Sequence, residues 1–341
     1  MKRIFILVAI ALSVVSVVSA EQKVLIDFSQ LVADIIPDQD NKPTQNRATM
    51  MDYSDVAGGS FTEEQKEIMK TSLALPNWDI VLASSSRTPM TQAKSFVVPA
   101  PSKEHGTVMG IRVNFPVAPF NSWARIKPPF EIPAFEYMAQ VNDEGEIQEP
   151  TEEDRANKFT RFEQGYGVIK NVGTIKAVQV KAYGLNFPHA LSTVIIDSQG
   201  KENTMFMGYL NFDGWSELKW NNPGYVTDVR NRELRLYPLY PKATPFIKFG
   251  GFLVQRDAAH DGGDFIAYFK DVQVIYDQAV LDTDRDIDDE AIWNIIADRE
   301  EDRKNVEIKR FGQVQVMRYL EKDRQAKEAD FNNETDEAAA E

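Results

Sequence analysis

Apolar residues along this chain fall in short runs of strand length, separated by residues that turn the backbone. From Phe159 the predicted strands are Gly165 to Lys170, Ile175 to Tyr183, Ser192 to Asp197, Met205 to Phe212, Glu217 to Trp220, Leu234 to Tyr240, Phe246 to Gln255 and Phe265 to Tyr276. In the second of these, Ile175, Ala177, Gln179 and Lys181 alternate with Lys176, Val178, Val180 and Ala182, so two faces are distinguishable. The breaks carry turn chemistry: Gly173, Asn186-Phe187-Pro188, Ser198-Gln199-Gly200, Asp213-Gly214, Asn222-Pro223-Gly224, Pro241 and Asp261-Gly262-Gly263. Upstream, Val24 to Phe28, Trp78 to Ala83, Ser95 to Val98 and Thr107 to Phe115 also read as strands. Thr62 suits the N-cap of a helix over 61–75, with Glu63 and Glu64 in its first turn and Ile68, Met69, Leu73 and Leu75 behind them. Regularly spaced strands without interleaved helices predict a mainly β chain folded as an antiparallel β-sandwich or jelly roll. One such domain is expected over 21–281.

The segment Gly110 to Tyr137 stands apart, because strand-type residues run into a loop rich in proline and aromatic residues over 116–137. Pro116, Pro119, Pro128, Pro129 and Pro133 each fix φ and remove an N–H donor, which predicts an extended, pre-ordered loop and neither a helix nor a central strand. Phe115, Phe120, Trp123, Phe130, Phe135 and Tyr137 make it apolar. Such a loop either packs on its own domain or is presented to a partner at little entropic cost.

The N-terminus has the three parts of a secretory signal: Lys2 and Arg3, an apolar run from Ile4 to Val18, and Val18-Ser19-Ala20 as a small-residue cleavage site. Residues 1–20 are expected to be removed, with cleavage between Ala20 and Glu21 and no membrane anchor. The chain contains no cysteine, which suits an exported protein held by its core and not a disulfide-stapled scaffold. A formal charge of −14 argues against nucleic acid and anionic membrane surfaces as partners. After Asp282 the chain becomes charge-dense and acidic; Ile292, Ile295 and Ile296 fall at helical spacing, so 282–341 reads as an acidic, partly helical extension.

Chemistry-bearing motifs are few. Asp282, Asp284, Asp286 and Asp288 alternate like calcium-loop ligands, but Ile287 and Trp293 stand where such a loop needs glycine and glutamate. His105, His189 and His260 form no closely spaced ligand pair, and His260-Asp261 lies in what reads as a hairpin loop. Gly58-Gly59 and Gly250-Gly251 lack the spacing of a phosphate cradle. No acid pair marks a glycosidase. The expectation is therefore no enzyme, no metal and no cofactor. Trp215, Trp220 and Tyr225, with Tyr237 and Tyr240, are candidates for stacking on sugar rings, against the plainer reading that alternating aromatics fill a core.

Several long segments carry a family resemblance: VLIDFSQL near the N-terminus, AGGSFTEEQKEIMKTSLALPNWDIVLASSSR, GIRVNFPVAPFNSWARIKPPFEIPAFEY, FEQGYGVIKNVGTIKAVQVKAYGLNFPHAL, GYLNFDGWSELKWNNPGYV and PFIKFGGFLVQRDAAHDGGDFIAYFKDVQVIYD. In these the chain resembles the flagellar filament outer layer proteins of spirochaetes, the FlaA family. The resemblance implies a galactose-binding-like jelly roll and a non-enzymatic sheath subunit of periplasmic flagella. It further implies flagellin core proteins and other sheath subunits as partners, core glycans as a further ligand, and a role in filament stiffness, shape and motility. It favours docking for the proline-rich loop, with Asn121, Trp123, Pro128, Pro129, Phe130 and Phe135 as interface candidates. The alternative is a periplasmic carbohydrate-binding jelly-roll protein or a glycan-acting enzyme.

Overall fold

A computed structural model describes residues 20–33, 70–132, 162, 165–225 and 245–281, with short pieces at 35–37, 43–45, 49–52, 62–64, 236–237, 287, 289–295, 298–299 and 302. Twelve strands build two antiparallel six-stranded sheets. They are β1 (Glu21–Asp27), β2 (Asp79–Leu82), β3 (Phe96–Ser102), β4 (Gly106–Phe115), β5 (Ser122–Lys127), β6 (Val168–Lys170), β7 (Val172–Leu185), β8 (Ala190–Asp197), β9 (Glu202–Tyr209), β10 (Asp213–Asn221), β11 (Phe246–Arg256) and β12 (Gly263–Gln278). The first sheet has the order β10-β7-β12-β4-β3, and β1 pairs with the far half of β12 on the edge that β4 leaves open. The second has the order β9-β8-β11-β5-β2, with β6 against the start of β11. The fold is a β-sandwich of the jelly-roll kind.

Alternation explains the sandwich. One face of β4 (Met109, Ile111, Val113, Phe115), of β7 (Val178, Val180, Ala182) and of β12 (Phe265, Ala267, Phe269) is at most 1% exposed. It meets Ala124 and Ile126 of β5, Leu191 and Ile195 of β8, and Phe252 and Val254 of β11, which are equally buried. Phe252 stacks on Phe269 at 4.4 Å between ring centroids, joining the sheets directly. Phe28, on the 3₁₀ turn Phe28–Leu31 after β1, closes one end of the core against Trp78, Phe249 and Phe252 at 5.7, 6.1 and 5.9 Å. Burial on this scale, at about 25 cal/mol per Å² of apolar area, is the driving force for a fold that has no cysteine to cross-link it.

The structure departs from the sequence expectations in three places. Ser122–Lys127 is a strand inside its sheet, paired on both sides with β11 and β2, although it lies within the segment expected to be loop. Pro116, Pro119, Pro128 and Pro129 flank SWARIK without interrupting it, so every N–H in the strand remains available to the ladder. The helix expected over 61–75 does not extend to its predicted end: Lys70–Ser72 is a strand paired with Met50–Asp52, and Leu75–Asn77 is a 3₁₀ turn. The strand expected over Ser95 to Val98 runs on as β3 through Pro99 and Pro101 to Ser102, because β3 is an edge strand where missing donors are tolerated.

The glycine pair at 250–251 also has a structural explanation. Register shifts between Val194 and Ile195 opposite it, which makes a β-bulge in β11. Gly251 adopts φ +121°, and a Cβ there would lie 2.2 Å from the Ile126 carbonyl oxygen. Only glycine lets β5 lie this close to the bulge.

Candidate functional site

The proline-rich loop is fixed to one end of the sandwich from beneath. Pro116 and Pro119 have no N–H, and the carbonyls between β4 and β5 lack strand partners; Arg256, at the end of β11, supplies the donors. Its guanidinium donates to the carbonyl oxygens of Pro116 (2.5 Å), Ala118 (2.8 Å) and Phe120 (2.6 Å). It also lies against the Phe115 and Phe120 rings at 5.9 and 5.7 Å. Arg256 is 1% exposed, a buried cation held by three backbone dipoles and two ring faces. The Ala258 N–H donates to the Asn121 side-chain oxygen at 2.9 Å. Gly262 completes the seat, since a Cβ there would fall 2.0 Å from the Pro116 carbonyl oxygen.

Two histidines lie beside this clamp. His189 is 4% exposed, with its ring 5.4 Å from Phe115, 5.0 Å from Phe265 and 6.2 Å from His260. Burial, reinforced by His260 and by the Arg256 cation, lowers its pKa from 6.5 to about 4, so it is neutral at ordinary pH. Among the described residues neither His189 Nδ1 nor His260 Nδ1 has a hydrogen-bond partner. Asp257 to Gly262 is the turn between β11 and β12, as the two glycines of AHDGGD predict.

Beyond Asn121 the expected interface residues divide. Pro128 and Pro129 are buried and Phe130 is 3% exposed, its ring edge-on to Phe162 at 5.9 Å. Glu131 pairs with the buried Lys248 beside them. These three therefore pack against the sandwich in the isolated chain. Asn121 is exposed, and Trp123 is 40% exposed because β5 alternates: Ser122, Ala124 and Ile126 point inward, Trp123 and Arg125 outward. Phe135 lies outside the described residues, as do Asp282, Asp284, Asp286 and Asp288. Among the described residues no three His, Asp or Glu side chains are grouped to hold a metal ion, and no helix is long and apolar enough to cross a membrane.

The candidate stacking aromatics do not form one platform. Trp215 and Trp220 lie on opposite faces of β10, five residues apart in an unbroken ladder. Trp220 packs partly buried against the core. Trp215 starts an outward row, 5.3 Å from Tyr183 and 4.6 Å from His105, with Tyr183 5.9 Å from Tyr268. Tyr225 instead donates its hydroxyl to Asp277 at 2.9 Å, beneath the Lys176 ammonium.

The outer face of the second sheet carries a different constellation. Arg125 donates bidentately to Glu202, Nη1 to Oε2 at 2.9 Å and Nη2 to Oε1 at 2.7 Å; this pairing holds the Glu202 carboxyl below its usual pKa. Trp123, Arg125, Val194, Thr204, Leu253 and Gln255 line a shallow groove of ≈ 290 Å³ there. Sequence reasoning singled out Trp123 but missed Arg125, Glu202 and Gln255, whose proximity comes from sheet order. The alternation of SWARIK was the one available signal.

Fold and surfaces define a two-sheet antiparallel β-sandwich that offers rigid, aromatic-bearing faces. Residues 42–285 match the family model described as flagellar filament outer layer protein. The chain is 51% identical over 337 residues to the flagellar filament outer layer protein of Treponema pallidum (strain Nichols), covering 97% of this chain and 96% of the relative. It is 45% identical over 347 residues to the protein of the same name from Spirochaeta aurantia, covering 100% and 98%. The chain belongs to the flagellar filament outer layer protein family. Among solved structures it is similar to a carbohydrate-binding module in complex with β-1,4-galactotriose (9% identity, 59% of this chain and 90% of the other, TM-score 0.25). It is likewise similar to the family 11 carbohydrate-binding module of a Clostridium thermocellum cellulosomal cellulase (6% identity, 61% and 91%, TM-score 0.25).

Proposed function

We propose that this chain is a non-enzymatic structural subunit of the outer layer of a flagellar filament, laid over a flagellin core in the periplasm and contributing to filament stiffness, shape and motility. The observation that carries this reading is near-full-length similarity to two flagellar filament outer layer proteins, at 51% and 45% identity. Export by cleavage after Ala20 fits the chain's architecture, because β1 begins at Glu21 and processing there leaves the sandwich intact. A stiff coat needs subunits that do not deform. The Arg256 clamp and the Phe252–Phe269 stack between sheets supply that rigidity without disulfides.

The contacts that hold the coat are proposed to be individually weak and to sum through repetition along the filament. Flagellin core proteins and neighbouring sheath subunits are the partners. Asn121 and Trp123, exposed beside the clamped loop, are the candidate contact residues, while Pro128, Pro129 and Phe130 are buried at the other end of the same strand. Sedimenting the chain spanning 21–341 with filaments stripped of their outer layer tests the reading. Co-sedimentation that saturates with filament length supports it; a chain left entirely in the supernatant removes it. N-terminal sequencing of the cell-derived protein tests the start at Glu21.

A further inference from the structure

We propose that the outer face of the second sheet is a saccharide-binding trough for a short run of neutral, hydroxyl-rich sugar rings. Strand register builds it. Tyr209, Ala190, Gln255 and Trp123 form one row across β9, β8, β11 and β5, and Phe206, Ser192, Leu253 and Arg125 form the next. Large aromatics stand at both ends, with Trp123 40%, Phe206 49% and Tyr209 55% exposed, and Phe206 and Tyr209 meet edge-on at 5.4 Å. Between them stand Ala190, Gln255, Ser192 and Leu253, none of them aromatic. Three strand spacings separate the two aromatic walls, a span of roughly 14 Å, longer than one sugar ring. The groove beside Trp123, at ≈ 290 Å³, lies at the lower end of small-ligand sites.

The polar groups suit hydroxyls better than other ligands. The Arg125–Glu202 pair holds the Glu202 carboxylate in one fixed plane, with its remaining lone pairs as acceptors for hydroxyls. Gln255 and Thr204 line the groove and bring an amide and a hydroxyl, each able to donate and accept. A sugar ring has the matching character, with an apolar C–H face to lie on an aromatic ring and hydroxyls around its rim. A lipid tail would need an enclosed apolar cavity, and an extended peptide would seek backbone groups at a strand edge instead of crossing paired strands. Glu202 and the net charge of −14 disfavour acidic sugars.

The proposal does not depend on the outer-layer reading, and its test separates the two. The 21–341 chain is titrated calorimetrically with neutral tetrasaccharides of glucose, galactose, mannose and N-acetylglucosamine, with an oligogalacturonate as the acidic comparison. Binding of at least one neutral probe is expected, weakened at least tenfold by Trp123→Ala and by Gln255→Ala, each with an unchanged thermal midpoint. Tyr209→Ala provides a third position should either variant unfold. No binding to any neutral probe, or binding indifferent to all folded variants, overturns the proposal. Filaments before and after chemical deglycosylation then separate a filament-borne glycan from a free polysaccharide: reduced binding after deglycosylation supports the former, and unchanged binding, with soluble probes still bound, the latter. Sedimentation with filaments by a chain that binds no saccharide would sink the trough and leave the outer-layer role standing.

Discussion

His189 makes the stability of this sandwich fall in mild acid. Its ring is buried between Phe115, Phe187 and Phe265, with His260 and the Arg256 cation as its charged or titratable neighbours. Because the folded pKa, about 4, is depressed below 6.5, the unfolded chain takes up this proton first as pH falls. The contribution is therefore complete above pH 6.5 and is lost as pH falls toward 4. Integrating the linkage between pH 7 and 4.5 gives a loss of about 2.5 kcal/mol, half of it by roughly pH 5.5. The carboxylates held low by partners, Glu21 by Lys23, Glu202 by Arg125 and Asp264 by Arg112, begin to add their own losses as pH falls to their ordinary values of 4.5, 4.5 and 3.8, and these are common to wild type and variant, so the difference between the two isolates the histidine. Urea unfolding of the 21–341 chain at pH 7, 5.5 and 4.5, with His189→Gln alongside, measures the effect. The wild type should lose about 2.5 kcal/mol more than the variant over this range. Parallel stability curves for the two would refute the burial argument.

Arg256→Met removes three charge-assisted bonds to the Pro116, Ala118 and Phe120 carbonyls and should cost about 3 kcal/mol; proteolysis should then cut first between residues 116 and 121, visible by mass spectrometry. Gly251→Ala forces a Cβ against the Ile126 carbonyl at φ +121° and should destabilise by more than about 2 kcal/mol in the same urea assay. Phe252→Ala, at 0% exposure and stacked on Phe269, should cost about 3–5 kcal/mol by calorimetry.

The sandwich was legible because its strands alternate. Val178, Val180 and Ala182 separate from Gln179 and Lys181 in the sequence as they do across the sheet. What misled was proline used as a regional signal. It acts on one N–H at a time, so Pro119 and Pro128 could bracket SWARIK, a strand paired on both sides. Trp123 was picked out by its residue type, whereas Phe130 shared that type and is buried against Phe162, because the direction of a side chain depends on register and not on composition. Arg256 gave no local sign of its role, since its carbonyl partners lie more than 130 residues away. The Arg125–Glu202 pair likewise exists only through sheet order, and no spacing along the chain could announce it.

The central claim is that this chain coats a flagellar filament, and cryo-electron microscopy of filaments from cells with and without it tests that claim most directly. A wider filament bearing an outer shell into which the two-sheet sandwich fits, and loss of that shell without the chain, is the predicted result. Filaments of identical diameter and surface density in both strains would contradict it.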